Sequence, residues 1–80
     1  MIVVLTQDSC PKCENLKKFL DLGLKGKYND QIEFVHRQTQ EDRFNELVSQ
    51  FSVMSTPVMI KGEEILRDTN PSKVMAFLDK

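Results

Sequence analysis

The apolar residues at the start of the chain form a continuous run and then change to a helical spacing. Ile2 to Thr6 is nearly uninterrupted in apolar, mostly β-branched residues, and polar residues 7–9 follow it. Such a run is typical of a strand that is buried on both faces of a sheet. Beyond the cysteines, apolar residues recur at intervals of three and four, which predicts an amphipathic helix that stops at Gly23. Its buried side would consist of Leu16, Phe19 and Leu20.

The middle of the chain is predicted to hold a loop, a strand and a second helix. Residues 24–30 combine glycine with several charges and indicate the loop, whereas residues 32–37 alternate between two faces and indicate the strand. Thr39 is predicted to cap the helix, with Asp42 three residues later as a variant of the capping box. The apolar stripe of this helix would consist of Phe44, Leu47, Val48 and Phe51.

The last third is predicted to form a hairpin followed by a helix. Residues 57–60 indicate a third strand, residues 61–63 a turn, and residues 64–66 the returning strand. Asn70 and Pro71 are the residue types that favour the N-cap and the first position of a helix. The buried side of this helix would consist of Val74, Phe77 and Leu78.

These elements predict an α/β fold in one domain that spans residues 1–80, in the order βαβαββα. The first βαβ unit should be parallel with a right-handed crossover. We expect a four-stranded mixed sheet flanked by three helices. This order fits several kinds of small α/β domain.

Composition narrows the function classes. Lys and Arg number 11 against 12 Asp and Glu, for a net charge of −1, so we expect no nucleic-acid or membrane-surface binding. The apolar run at the start is too short for a signal peptide and no basic segment precedes it. We therefore expect a cytoplasmic protein. A monomer is also expected. In that compartment two cysteines are not expected to form a permanent structural disulfide.

The segment from Cys10 to Cys13 carries the candidate chemistry. A C-x-x-C pair beside a βαβ pattern indicates thiol–disulfide exchange. At the start of a helix, unpaired backbone N–H groups and the helix dipole would stabilise a Cys10 thiolate, and Lys12 adds a nearby positive charge. Pro11 suits the first helical turn and stiffens the loop. Asp8 would oppose the thiolate if its carboxylate faced the sulfur.

The spacing predicts separate roles for the two thiols. Cys10 at the exposed helix end would attack a substrate disulfide, and Cys13, one turn further and more buried, would resolve the mixed disulfide. Other uses of the pair stay open. Two inert thiols are one; half of a zinc site is another, although His36 is the single histidine and no second C-x-x-C exists. A metal or iron–sulfur cluster shared across a dimer is a third. We expect no bound metal and no permanently bound cofactor.

A second motif, Thr56-Pro57, precedes the predicted third strand. A cis peptide here would expose the Thr56 backbone to an extended substrate, yet only about 5–6% of X-Pro bonds are cis, so residue-level physics favours trans.

With both motifs in view, the chain resembles the glutaredoxins and, more widely, the thioredoxin superfamily. Cys10-Pro11-Lys12-Cys13 is similar to their C-P-Y-C, and Thr56-Pro57 stands where those proteins carry a cis proline. The resemblance covers nearly the whole chain. It implies a minimal thioredoxin fold, a cis Thr56-Pro57 peptide packed against Cys10, and reduction of protein or small-molecule disulfides.

Within that superfamily, two types of reductant are implied. Residues 67–70 replace the Gly-Gly stretch with which glutaredoxins bind glutathione, although Lys12, Arg37, Arg67 or Thr69 could still meet this co-substrate. Residues 70–74 resemble NrdH-type redoxins, which donate electrons to ribonucleotide reductase and are recharged by thioredoxin reductase. The implied substrate-binding residues are Thr56, Pro57, Arg67, Thr69 and Asn70.

A few further residues have alternative interpretations. His36 is expected to be a strand residue without a role, with a proton shuttle as the alternative. Core packing is the expected use of Met54 and Met59, with a contact surface beside the site as the alternative. A solvated face is expected for Lys17, Lys18 and Lys25, with a docking patch as the alternative.

Overall fold

Four strands and three helices make up the fold that the computed structural model describes for residues 2–79. In chain order they are β1 (Ile2–Thr6), α1 (Pro11–Lys18), β2 (Ile32–His36), α2 (Glu41–Phe51), β3 (Val58–Lys61), β4 (Glu64–Leu66) and α3 (Pro71–Leu78). A π-helical turn at Phe19–Gly23 and a 3-10 turn at Asn29–Gln31 lie between α1 and β2. The predicted order βαβαββα is therefore confirmed.

The strands form one mixed sheet in the order β2-β1-β3-β4. β1 runs parallel to β2, with Thr6 opposite His36, and antiparallel to β3, with Leu5 opposite Val58. β3 and β4 are antiparallel neighbours. The end of β1, from which the cysteine loop departs, therefore has β2 on one side and β3 on the other.

Each face of the sheet is covered by helices. On one face, Leu16 and Leu20 from the first helical segment and Val74 and Phe77 from α3 pack against the sheet. On the other face, Phe44 of α2 is buried, with the rest of its predicted stripe partly buried beside it. Because β1 is covered on both faces, its apolar run is continuous rather than alternating. The buried positions of β1 are Ile2, Val4, Leu5 and Thr6.

The end of the first helix differs from the prediction. Gly23 does not adopt the left-handed conformation; Lys25 and Gly26 do, with φ of 55° and 69°. Gly23 lies within the π-helical turn, where a Cβ atom would stand 2.7 Å from the Phe19 ring. The chain therefore has a glycine at position 23 where there is no room for a side chain, and the reversal of direction occurs two residues later.

The other boundaries differ by a residue or two. The predicted Thr39 cap is wrong, because the N-cap of α2 is Gln40 and no side chain caps it. Thr39 instead lies in a turn in which the His36 carbonyl accepts hydrogen bonds from the N–H groups of Thr39 and Gln40. The second strand ends at His36 rather than at residue 37, and the third runs from 58 to 61 rather than from 57 to 60.

Candidate active site

Cys10 occupies the N-cap of α1, with Pro11 in the first helical position. Its backbone is extended (φ −120°, ψ 95°), and its Sγ accepts a hydrogen bond from the Cys13 N–H at 3.2 Å. The sulfur thus takes the place of the oxygen that usually caps a helix. A thiolate at this atom would gain both that hydrogen bond and the positive end of the helix dipole.

Cys10 and Cys13 are joined by a disulfide, with their Cα atoms 5.2 Å apart. The spacing within one helical turn makes the bond possible without movement of the backbone. Cys13 is 1% exposed, whereas Cys10 is only partly buried. Cys10 is therefore the more accessible of the two sulfurs, as its predicted role of nucleophile requires.

Thr56 contacts the same sulfur from across the sheet. Its hydroxyl oxygen lies 3.6 Å and its carbonyl oxygen 3.8 Å from the Cys10 Sγ. The Thr56-Pro57 peptide is cis, as the resemblance implies. This contact follows from the strand order, because β3 begins at Val58 directly beside the end of β1.

An open cleft of about 480 Å³ extends from this contact toward the start of α3. The six predicted site residues other than the cysteines and Pro11 all line it: Lys12, Thr56, Pro57, Arg67, Thr69 and Asn70. Three segments that are distant in sequence therefore meet beside the disulfide. Arg37 does not line this cleft; it borders a separate hollow of about 340 Å³ that reaches Thr56 from the other side.

Two of the predicted binding residues form hydrogen bonds within the protein. The Arg67 guanidinium donates to the carbonyls of Phe51 and Ser52, at 2.9 and 3.3 Å, at the C-terminal end of α2. The Asn70 side chain accepts from the Lys73 N–H at 3.0 Å and so caps α3. Both residues border the cleft, but these hydrogen bonds join parts of the protein to one another.

Asp68 is a charged residue of the cleft that sequence reasoning missed. The Lys73 ammonium, 3.0 Å away, and the Asn70 N–H bind its carboxylate, and together with the more distant Lys12 charge they lower the pKa of Asp68. The cleft therefore presents a carboxylate as well as the positive charge of Lys12. No spacing rule in the sequence predicts this, because the ion pair depends on the turn that leads into α3.

Met54 also differs from the prediction. Core packing was expected for both methionines, and Met59 is fully buried, but Met54 is 91% exposed. It lies two residues before Thr56 and borders the smaller hollow. Met54 is therefore not part of the core, and a contact surface beside the site stays a prediction.

The three lysines and the histidine singled out in the sequence lie outside the lining of the cleft. Lys17 is partly buried, with its ammonium 5.7 Å from the centre of the Phe34 ring, while Lys18 and Lys25 are exposed. The His36 ring forms hydrogen bonds with both Thr6 and Asp8.

Among residues 2–79, no three His, Cys, Asp or Glu side chains are grouped so as to hold a metal ion. Within the same range, no helix has the length and apolar character needed to cross a membrane.

Comparisons with known proteins agree with this geometry. No family model and no curated protein sequence matches the chain. Among solved structures, it is similar to the crystal structure of a mutant of the thioredoxin-like protein BC3987, with 25% sequence identity and a TM-score of 0.74. The match covers 98% of this chain and 99% of that one. The fold is therefore thioredoxin-like, and with the bonded Cys10–Cys13 pair it supports a redox function of the oxidoreductase type.

Proposed function

We propose that this thioredoxin-like chain is a cytoplasmic thiol–disulfide oxidoreductase, active as a monomer, that reduces disulfides by dithiol exchange. The observation that carries the proposal is the position of Cys10. Its sulfur caps α1, contacts Thr56 at the edge of an open cleft, and is bonded to a buried partner cysteine one helical turn away. An inert pair of cysteines needs none of these three features.

The reaction begins with the reduced protein and proceeds in two exchanges. The Cys10 thiolate attacks one sulfur of the substrate disulfide, so that a mixed disulfide forms, the substrate S–S bond breaks and one substrate thiolate leaves. The Cys13 thiolate then attacks Cys10, which forms the Cys10–Cys13 bond and releases the second substrate thiolate. The substrate gains two electrons and two protons, and the protein is left as the disulfide.

Thr56 is proposed to assist both exchanges. Its hydroxyl lies 3.6 Å from the Cys10 Sγ in the disulfide form, and from this position it would donate to the thiolate of the reduced protein. Its backbone borders the cleft, where an extended substrate segment would pair with it. Pro57 has no N–H group, so the backbone pairing with the substrate is proposed to use the polar groups of Thr56. Thr69, partly buried across the cleft, is proposed to contact the same substrate.

For the source of electrons we favour thioredoxin reductase over glutathione, and ribonucleotide reductase is the proposed substrate. Glutathione would have to be held by its carboxylates. Of the candidate cations, Arg67 is engaged with the end of α2, and Arg37 lies outside the cleft, beside Gln7. Lys12 remains, and its charge is partly balanced by Asp68. A glutathione-dependent activity is the alternative.

A turnover assay with two recharging systems tests the proposal. Reduction of a protein disulfide is measured with NADPH and thioredoxin reductase, or with glutathione and glutathione reductase. We expect turnover with the first system and its loss in Cys10→Ser. Turnover with the second alone would contradict the preferred reductant, and turnover with neither would contradict the enzyme assignment.

Two other functions are separated by simple measurements. A non-catalytic binding module would keep its partner affinity in Cys10→Ser, because such a module does not need the thiol. A dimer that bridges a metal or iron–sulfur cluster through Cys10 would show a visible absorbance spectrum and twice the native mass when freshly purified. We expect neither result.

A further inference from the structure

A chain of hydrogen bonds connects the interior of the sheet to the loop that carries Cys10. The Thr6 hydroxyl, fully buried, lies 3.1 Å from Nδ1 of His36. On the other side of the same ring, Nε2 lies 2.7 Å from a carboxylate oxygen of Asp8. Asp8 stands two residues before Cys10, so its charge is the acidic group nearest to the reactive sulfur along the chain.

Further contacts join the same two segments. The Asp8 N–H donates to the Gln38 side chain at 2.9 Å, the Arg37 N–H to the Thr6 carbonyl at 2.9 Å, and the Arg37 guanidinium to the Gln7 side chain at 3.2 Å. Residues 6–8 are thus fastened to residues 36–38. This fastening precedes Ser9, whose left-handed backbone (φ 56°) turns the chain into Cys10.

The strand order places the contacts of Asp8 and Cys10 on opposite sides of β1. His36 ends β2, which lies on one side of β1, whereas Thr56 precedes β3, which lies on the other. The Asp8 carboxylate is bound on the β2 side, and the Cys10 sulfur contacts Thr56 on the β3 side. The negative charge and the reactive sulfur are therefore held toward opposite neighbours of the same strand.

We propose that His36 is a positioning residue that holds the Asp8 carboxylate away from Cys10, so that the thiolate forms without a competing negative charge. This role rests on the proposed function, but it concerns only the ionisation of Cys10 in the reduced protein. A carboxylate released from His36 would be free to approach the sulfur. Like charges in proximity disfavour ionisation, so the pKa of Cys10 would rise.

His36 can perform this role in either protonation state. The neutral ring with its proton on Nε2 donates to Asp8 and accepts from the Thr6 hydroxyl at Nδ1; the protonated ring donates from both nitrogens. The charged groups at this position are the Asp8 carboxylate on the cysteine loop and Arg37 on the ring's own segment, and the guanidinium of Arg37 is directed to Gln7. The contact between His36 and Asp8 therefore needs only a proton on Nε2, which both forms of the ring carry.

The test measures the ionisation of Cys10 directly, in a Cys13→Ser background that leaves a single thiol. The rate of alkylation by iodoacetamide is followed by mass spectrometry across a pH series, and its midpoint reports the thiol pKa. His36→Asn keeps an amide near Thr6 but is too short to reach Asp8. We expect its midpoint to rise and its alkylation rate at neutral pH to fall about threefold.

Rescue separates positioning from a merely structural effect. Asp8→Asn alone should change the rate by less than about twofold, because the charge is already held away. Asp8→Asn combined with His36→Asn should restore the rate of the background protein. Gln38→Ala, which removes a loop contact without freeing a charge, is the matched control and should leave the midpoint unchanged.

Two outcomes would overturn the inference: an unchanged midpoint in His36→Asn, or a defect that persists when Asp8→Asn is added. His36→Phe serves as a second variant if His36→Asn does not fold, as judged by circular dichroism. Since alkylation needs neither a substrate nor a reductase, a failed turnover assay would leave this result intact. Conversely, failure here would leave the dithiol mechanism standing.

Discussion

The hydroxyl of Thr56 lies 3.6 Å from the Sγ of Cys10, although 46 residues separate the two in the chain. The pairing of β1 with β3 produces this contact, since it places the segment before Val58 beside the start of α1. The reactive sulfur therefore has a hydrogen-bond donor on the helix side, the Cys13 N–H, and a second on the sheet side.

Replacement of Thr56 by valine should slow disulfide reduction while preserving the fold. Valine matches the shape of threonine but cannot donate to the thiolate, and one such hydrogen bond corresponds to a loss of about three- to tenfold in kcat/KM. Thr39→Val, on the exposed turn before α2, is the matched control. Equal activity of the two variants would argue against a role for the Thr56 hydroxyl.

Cys13→Ser should trap the first intermediate. Without the resolving thiol, the mixed disulfide between Cys10 and the substrate persists, and mass spectrometry under non-reducing conditions should detect the adduct. Cys10→Ser should form none under the same conditions, because the remaining thiol is 1% exposed. A comparable adduct on Cys13 in Cys10→Ser would contradict the order of attack.

Met54→Gln should weaken the binding of a protein substrate without destabilising the fold. The side chain is 91% exposed beside Thr56, so the change should alter the free energy of unfolding by no more than about 0.5 kcal/mol. Loss of its apolar contact should raise KM for a protein disulfide about threefold and leave reduction of a small-molecule disulfide unchanged. Met75→Gln, in α3 and outside the cleft, is the control; equal effects would refute a specific contact.

Arg67→Met should cost stability rather than catalysis. The guanidinium binds two carbonyls at the end of α2, and their loss should lower the free energy of unfolding by about 1 kcal/mol in denaturant titration. Arg37→Met removes one solvent-exposed hydrogen bond, to the Gln7 side chain, and should cost less than about 0.5 kcal/mol. A large loss of turnover in Arg67→Met, with unchanged stability, would instead identify Arg67 as a substrate-binding residue.

The Asp68 carboxyl should titrate below its ordinary pKa of 3.8, because Lys73 and the Asn70 N–H stabilise its charged form. The contribution of the Asp68 ion pair to the free energy of unfolding is fully present above pH 3.8 and is lost as the pH falls through the lowered pKa. Carboxyl-carbon NMR should show this midpoint, and Lys73→Met should move it upward. If the midpoint stays the same in Lys73→Met, the ion pair is not formed in solution.

Local signals predicted most of the framework. The continuous apolar run of β1 and the Asn70-Pro71 helix start each depend on residues close in sequence, and each was confirmed. The same holds for Cys10 at a helix N-terminus, since strand, proline and helical spacing adjoin one another. By contrast, the cis Thr56-Pro57 peptide was implied by family resemblance, because residue physics alone favoured trans.

Other features depend on contacts between distant segments, and only the tertiary structure decided them. Met54 and Met59 have the same side chain, yet one is 91% and the other 0% exposed, because one precedes β3 and the other lies within it. Arg67 has the charge of a ligand-binding residue but binds the end of α2.

The sequence by itself determined the cysteine pair and the helix start at Cys10, which is predicted to activate its thiol, because those interactions span only a few residues. Which side of β1 the Asp8 charge occupies, and which groups surround the sulfur, depended on the pairing of β1 with both β2 and β3. Such pairings join residues about 30 to 60 positions apart, and no spacing along the chain encodes them.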